Sequence, residues 1–126
     1  MRKPAIFIGL GGLGGLFAVA LGAFGAHALK SHLSANMLAI FETGVRYQMY
    51  HSLALILVGV RLEQKQSSLL VWSGRLFLLG IFIFSGSLYA LSLSGLKILG
   101  AITPLGGLAF LSAWICFGVS GFKDKV

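Results

Sequence analysis

Apolar residues along the chain form four long runs separated by short polar breaks. The runs cover about residues 4–29, 41–61, 69–93 and 104–122. Each run is close to or above the ~18–20 residues that a helix needs to cross a bilayer. The pattern therefore predicts an all-α membrane protein in which four transmembrane helices form a compact bundle, with residues 1–126 as a single domain.

The polar breaks carry signals for helix starts. Ser34 or Asn36 can cap the second helix, which we expect to run unbroken to about Leu62. Thr103 is expected to cap the fourth helix. Pro104 would then occupy its first position, where the missing N–H costs nothing.

Composition and charge support the membrane class. The 126 residues are 57% hydrophobic and only 10% charged, whereas soluble domains carry roughly 25% charged residues. The net charge is +7, and the basic residues concentrate at one predicted membrane face: Arg2, Lys3, Arg61, Lys65, Arg75, Lys123 and Lys125. The positive-inside rule then places both termini in the cytoplasm. The basic excess also favours anionic lipid as a partner, and we expect no nucleic-acid partner because no basic stripe alternates with exposed aromatic residues.

The first run contains the stretch IFIGLGGLGGLFA, in which Gly9, Gly11 and Gly14 have the G-x-G-x-x-G spacing of a dinucleotide-binding turn. Such a turn needs a preceding strand and an acidic residue about 20 positions later, and the segment KSHLSANM supplies no acid there. A signal peptide is the second alternative. However, the apolar region of a signal peptide is roughly 7–15 residues long, whereas the first apolar run of this chain is about 25 residues long.

A membrane helix explains the glycines best, because small residues four apart share one helix face. Such a face lets another backbone approach closely, which is how membrane helices gain contact. We expect it to pack on another span or on a second copy. The helix-packing candidates are Gly11, Gly14, Gly15, Ala18, Gly22 and, in the third run, Gly86.

Polar residues inside a membrane are costly and mark candidate sites. At about 1.5 Å rise per residue, most of them fall in the outer half of the bundle, with His51 beneath them near the midplane, level with Gly14. Glu42 and Arg46 share a face and can pair. The candidates are His27, Glu42, Arg46, Tyr47, Gln48, His51, Ser85, Ser87, Tyr89 and Thr103. Two interpretations remain open: a structural network, or a site for a small ligand, a lipid headgroup or a proton.

The pattern predicts no metal and no cofactor. His27 and His51 differ by roughly 19 Å in height, which is too far for one haem iron. His27, His32 and Glu42 lack the tight ligand spacing of a zinc motif. Because no catalytic motif is present either, the sequence favours a non-enzymatic protein over an enzyme.

Four stretches carry a family resemblance: GAFGAHAL (22–29), FETGVRYQMYHSLALI (41–56), FSGSLYALSLSG (84–95) and ITPLGG (102–107). Together they resemble the YwdK/YgdD-like family of small membrane proteins, catalogued as domain of unknown function 423 and similar to eukaryotic transmembrane protein 256. The resemblance implies a multi-pass protein of the bacterial inner membrane and supplies no activity. The family's recurrent residues would fall on His27, Tyr47, Gln48, His51, Ser85, Gly86, Ser87, Tyr89, Thr103 and Pro104.

Two functional hypotheses follow. The first is a non-enzymatic binding or assembly protein that docks through its glycine-rich first helix, either to a second copy or to a larger membrane complex. The alternative is a small carrier, or a ligand-, lipid- or proton-binding protein, that uses the outer polar cluster around His51, with Tyr47, Glu42 and Arg46.

Overall fold

A computed structural model describes residues 2–124, and within that range the chain contains helices and no strand. The prediction of an all-helical protein is confirmed. Short 3₁₀ turns lie at Leu29–Ser31 and Lys97–Ala101, and a π-helical turn at Ile81–Ser85 joins α3 to α4 in one continuous helix. The helices are α1 (Lys3–His27), α2 (Ala35–Gln64), α3 (Ser68–Gly80), α4 (Gly86–Ser94) and α5 (Thr103–Phe122).

One of the two predicted helix caps is confirmed. Ser34 Oγ accepts a hydrogen bond from the Met37 amide at 3.2 Å, and α2 then runs unbroken to Gln64. The Thr103 cap is wrong: Thr103 is itself the first residue of α5, and Ile102 occupies the cap position. The 3₁₀ turn leads directly into α5, and the Thr103 hydroxyl instead lies 2.6 Å from the Ser87 hydroxyl.

Within residues 2–124, three helical segments are long and apolar enough to cross a membrane. They are Lys3–His27, Ser68–Ser94 and Lys97–Phe122, with mean hydropathies of 2.1, 2.1 and 1.8 in their most apolar windows. With 30 residues, α2 is the longest helix, yet it is not among these three. Its middle carries arginine, glutamine and histidine, so length and composition support three of the four predicted spans.

The helix α2 is the central element of the bundle. Along its length it packs against α1, and on another side it contacts α3, the π-helical turn and α4. Of these, α3 and the π-helical turn also pack on α5. The apolar core lies between these elements and includes Phe7, Leu55, Val58, Phe77 and Phe110.

Both described ends of the chain lie at one end of the bundle, which we call the basic end. Arg2 and Lys65 line the same cavity there, and the Asp124 carboxylate forms ion pairs with Arg61 and Lys65. Lys123 lies beside Lys65 as well. Lys125, which contributes to the predicted charge asymmetry, lies outside the described residues.

Candidate functional site

The glycine-rich face of α1 lies directly against α2. A Cβ added at Gly11 would come within 2.7 Å of the Ser52 carbonyl oxygen, and one at Gly25 within 3.0 Å of the Phe41 ring. At the basic end, a Cβ at Gly59 of α2 would lie 2.8 Å from the Pro4 carbonyl oxygen. The two helices therefore approach each other closely from one end to the other, as small residues allow in membrane helices.

The other predicted packing residues divide into two groups. Ala18 is 1% exposed. A Cβ at Gly15 would lie at an ordinary 3.9 Å from Met49 Sδ, and one at Gly22 at a tighter 3.3 Å from Val45 Cγ1. A side chain at Gly14 would overlap the hydroxyl of Ser52. At Gly86, in contrast, a Cβ would meet nothing within 4 Å, so this glycine does not lie at a close contact between helices.

Gln48 connects three helices. Its Nε2 donates to the Gly14 carbonyl of α1 at 2.8 Å, and its Oε1 accepts from the Tyr89 hydroxyl of α4 at 2.6 Å. Gln48 is buried, so both ends of its amide are paired inside the bundle. The hydrogen bond from Gln48 also places Gly14 within about one helical turn of His51, close to the height that the helix rise predicts.

Three serine hydroxyls join further helices. Ser85, at the end of the π-helical turn, donates to the Gly44 carbonyl at 2.7 Å, and Ser73 donates to the Ala113 carbonyl at 2.8 Å. Ser87 shares a hydrogen bond with Thr103. Each of these contacts links two different helical segments, so the serines that the sequence marks as candidates have structural partners. The pair Ser73–Ala113 was not predicted, because nothing in the sequence pairs a serine with a distant backbone carbonyl.

His51 is buried, with 4% of its surface exposed, and both of its ring nitrogens have partners. Nδ1 lies 2.6 Å from the Tyr47 carbonyl oxygen, and Trp114 Nε1 donates to Nε2 at 3.1 Å. An indole nitrogen can only donate, so Nε2 must accept and Nδ1 must carry the proton. The imidazole also stacks on Phe110, with ring centres 3.6 Å apart and planes inclined by 7°. This geometry is that of a structurally satisfied histidine.

Protein labelled with ¹⁵N at histidine is expected to show His51 protonated at Nδ1 and bare at Nε2, because Trp114 occupies Nε2 as a donor. In Trp114→Phe the Nε2 resonance is expected to shift, since its donor is gone. A protonated Nε2 in the parent protein would contradict the assigned network. The exposed His32, which follows the short 3₁₀ turn, serves as the reference for an imidazole outside the bundle.

The charged candidates lie outside this network. Glu42 and Arg46 are both exposed and form no ion pair; within residues 2–124 the ion pairs are those of Asp124. Arg46 instead reaches back to the Thr43 hydroxyl at 3.4 Å. His27 is exposed at the end of α1. The structure thus joins the buried polar candidates and leaves the charged ones on the surface.

Tyr47 and Trp114 form the outer edge of the aromatic cluster around His51. The Tyr47 ring packs on Phe84 with centres 4.7 Å apart, and Trp114 packs edge-on against Phe77. Sequence reasoning missed Trp114, although it follows Phe110 by four residues and so shares its helix face. Among residues 2–124, no three His, Cys, Asp or Glu side chains are grouped closely enough to hold a metal ion.

Helices that are largely apolar on their outer surface, close glycine contacts and paired internal polar groups define a small all-helical membrane protein. The chain belongs to the family described as "Protein of unknown function (DUF423)", whose model matches residues 21–107. It is 48% identical over 118 residues to a UPF0382 membrane protein of Staphylococcus haemolyticus, covering 94% of this chain and 96% of that one. It is also 48% identical over 120 residues to the UPF0382 membrane protein YwdK of Bacillus subtilis, covering 94% and 97%. No solved structure matches the chain.

Proposed function

We propose that the chain is a single four-helix transmembrane domain of the bacterial inner membrane, with both termini cytoplasmic. The support is the contact between α1 and α2, which runs from Gly25 and Phe41 to Pro4 and Gly59. A bilayer crossed by α1 is then crossed by α2 as well, although α2 is too polar to be recognised from its composition. The basic end lies in the cytoplasm by the positive-inside rule.

The protein acts without catalysis, by associating with a second copy of itself in the membrane. The observation that carries this proposal is the exposed side of α2, which we call the outer stripe: Glu42, Arg46, Tyr50, Leu53 and Leu57. These residues recur every three or four positions, so they follow one side of the helix. The apolar members can face lipid at no cost, but a glutamate, an arginine and a tyrosine that is 52% exposed favour a polar partner.

The charges of the outer stripe favour a second copy of the chain as its partner. A twofold axis along the membrane normal keeps each residue at its own height in both copies. Glu42 and Arg46 lie one turn apart on α2, so Glu42 of each copy can reach Arg46 of the other diagonally, across that turn. The glycine-rich first helix then has an internal role. Its small residues let α1 pack closely on α2 within one copy. That contact already covers the glycine-rich face, which the sequence suggested as the docking surface.

Charge exchange tests the proposal. Gentle extraction from native membrane followed by native mass spectrometry is expected to yield dimers. Glu42→Arg or Arg46→Glu alone is expected to lower the dimer fraction by about tenfold, because like charges then meet across the axis. The double variant Glu42→Arg/Arg46→Glu restores both pairs and the dimer.

The matched control is Glu63→Arg, which makes the same charge change at an exposed position near the basic end of α2. It is expected to leave the dimer fraction unchanged. A monomeric parent protein, or a double variant that stays as dissociated as the two single ones, would contradict self-association through the outer stripe.

A further inference from the structure

The basic end contains an open cavity of about 720 Å³ between the start of α1, the end of α2 and the start of α3. Its apolar lining includes Pro4, Leu62 and Val71, and its cationic lining is Arg2, Lys3 and Lys65. The cavity is far from the polar network around Gln48 and His51, and that network makes no use of it.

The charges of the lining favour an anion. The Asp124 carboxylate already pairs with Lys65, whereas Arg2 and Lys3 form no ion pair within residues 2–124. Glu63 is the one acidic residue among the lining side chains described. Ser67 and Ser68 also line the cavity, and a serine hydroxyl can donate a hydrogen bond to an anion.

The position of the cavity indicates that the anion is a lipid headgroup. Two of the three segments able to cross a membrane begin here, α1 at Lys3 and α3 at Ser68, so the cavity lies at the level of lipid headgroups. Basic pockets between membrane helices bind anionic headgroups. The apolar floor of Leu62 and Val71 matches the glycerol and first acyl carbons below a phosphate, which free phosphate lacks.

We propose that this cavity binds the phosphate group of an anionic glycerophospholipid, with Arg2 and Lys3 as its principal cationic contacts. The lipid's glycerol backbone lies towards Leu62 and Val71. The site is independent of the outer stripe on α2, so self-association and lipid binding can fail separately.

The full chain is placed in nanodiscs of equimolar phosphatidylglycerol and phosphatidylcholine. After release from the nanodiscs, the lipids that remain bound to the protein are identified by native mass spectrometry. The parent protein is expected to retain phosphatidylglycerol in preference to phosphatidylcholine. Arg2→Gln/Lys3→Gln is expected to reduce that preference by about tenfold. The control Lys30→Gln/Lys97→Gln removes the same charge from two exposed lysines that do not line the cavity, and it is expected to keep the preference.

Ser68→Glu separates binding from folding. A glutamate in the first turn of α3 favours the helix but repels a phosphate in the cavity, so lipid preference should fall while the unfolding temperature does not. Equal loss in the Lys30/Lys97 control, or no lipid preference in the parent protein, would overturn the proposal. So would inorganic phosphate that binds detergent-solubilised protein as tightly as phosphatidylglycerol, because it would assign the cavity to a free anion.

Discussion

Gly106→Ala is expected to lower the unfolding temperature of the protein sharply, although alanine is the better helix former. A Cβ at this position would lie 2.7 Å from both Cα and Cβ of Phe84, in the π-helical turn. Backbone atoms cannot rotate away as a flexible side chain can, so α5 must move off the turn. Overpacking of this kind costs about 1–3 kcal/mol, which exceeds the gain of roughly 1 kcal/mol in helix propensity.

Gly107→Ala is the matched control, since it makes the same substitution one residue further along α5. There a Cβ meets nothing within 4 Å. Thermal unfolding in detergent, followed by circular dichroism, is expected to show Gly107→Ala at or slightly above the parent protein and Gly106→Ala well below it. If both variants unfolded together, the close approach of α5 to the π-helical turn would be refuted.

The second large effect is expected at Gln48. Gln48→Leu leaves the half-buried Tyr89 hydroxyl without its acceptor and removes the link to the Gly14 carbonyl. An unsatisfied buried polar group costs about 1–3 kcal/mol, so the free energy of unfolding should fall by that order. Tyr89→Phe in the Gln48→Leu background should cost less than in the parent protein, because the hydroxyl has already lost its partner.

Tyr50→Phe is the control for loss of a phenolic hydroxyl. Tyr50 lies on the same helix as Gln48 but is 52% exposed, so in monomeric protein its hydroxyl contributes little to stability. Strict additivity of Gln48→Leu and Tyr89→Phe in unfolding measurements would show that the two side chains are not coupled.

The helices could be predicted well from the sequence because the signals that define them are local. Four apolar runs and the cap at Ser34 depend on neighbouring residues alone. The π-helical turn and the role of Thr103 could not be predicted in the same way. Both depend on how α4 and α5 meet, where Ser87 offers Thr103 a partner from another helix.

The candidate site could be predicted only in part, again because some of its contacts join residues that are distant in the sequence. Counting the helix rise placed Gly14 and the polar middle of α2 at one level, and Gln48 contacts Gly14 there. Height along a helix says little about direction around it. The small residues of α1 indicate which of its faces packs, but its sequence does not show which helix lies against that face. The Glu42–Arg46 spacing permits an ion pair, but Arg46 turns to Thr43 instead.

The pairing of consecutive helices has a consequence for biosynthesis. Because α1 packs on α2, and α3 with the π-helical turn packs on α5, each of these two groups can close once its last helix leaves the ribosome. In the proposed topology α2 is too polar to enter the bilayer readily by itself. In that topology α1 would enter the membrane before α2 emerges, and its Gly14 carbonyl could then accept the hydrogen bond from Gln48. If the proposed topology holds, we expect α1 to assist the membrane insertion of α2.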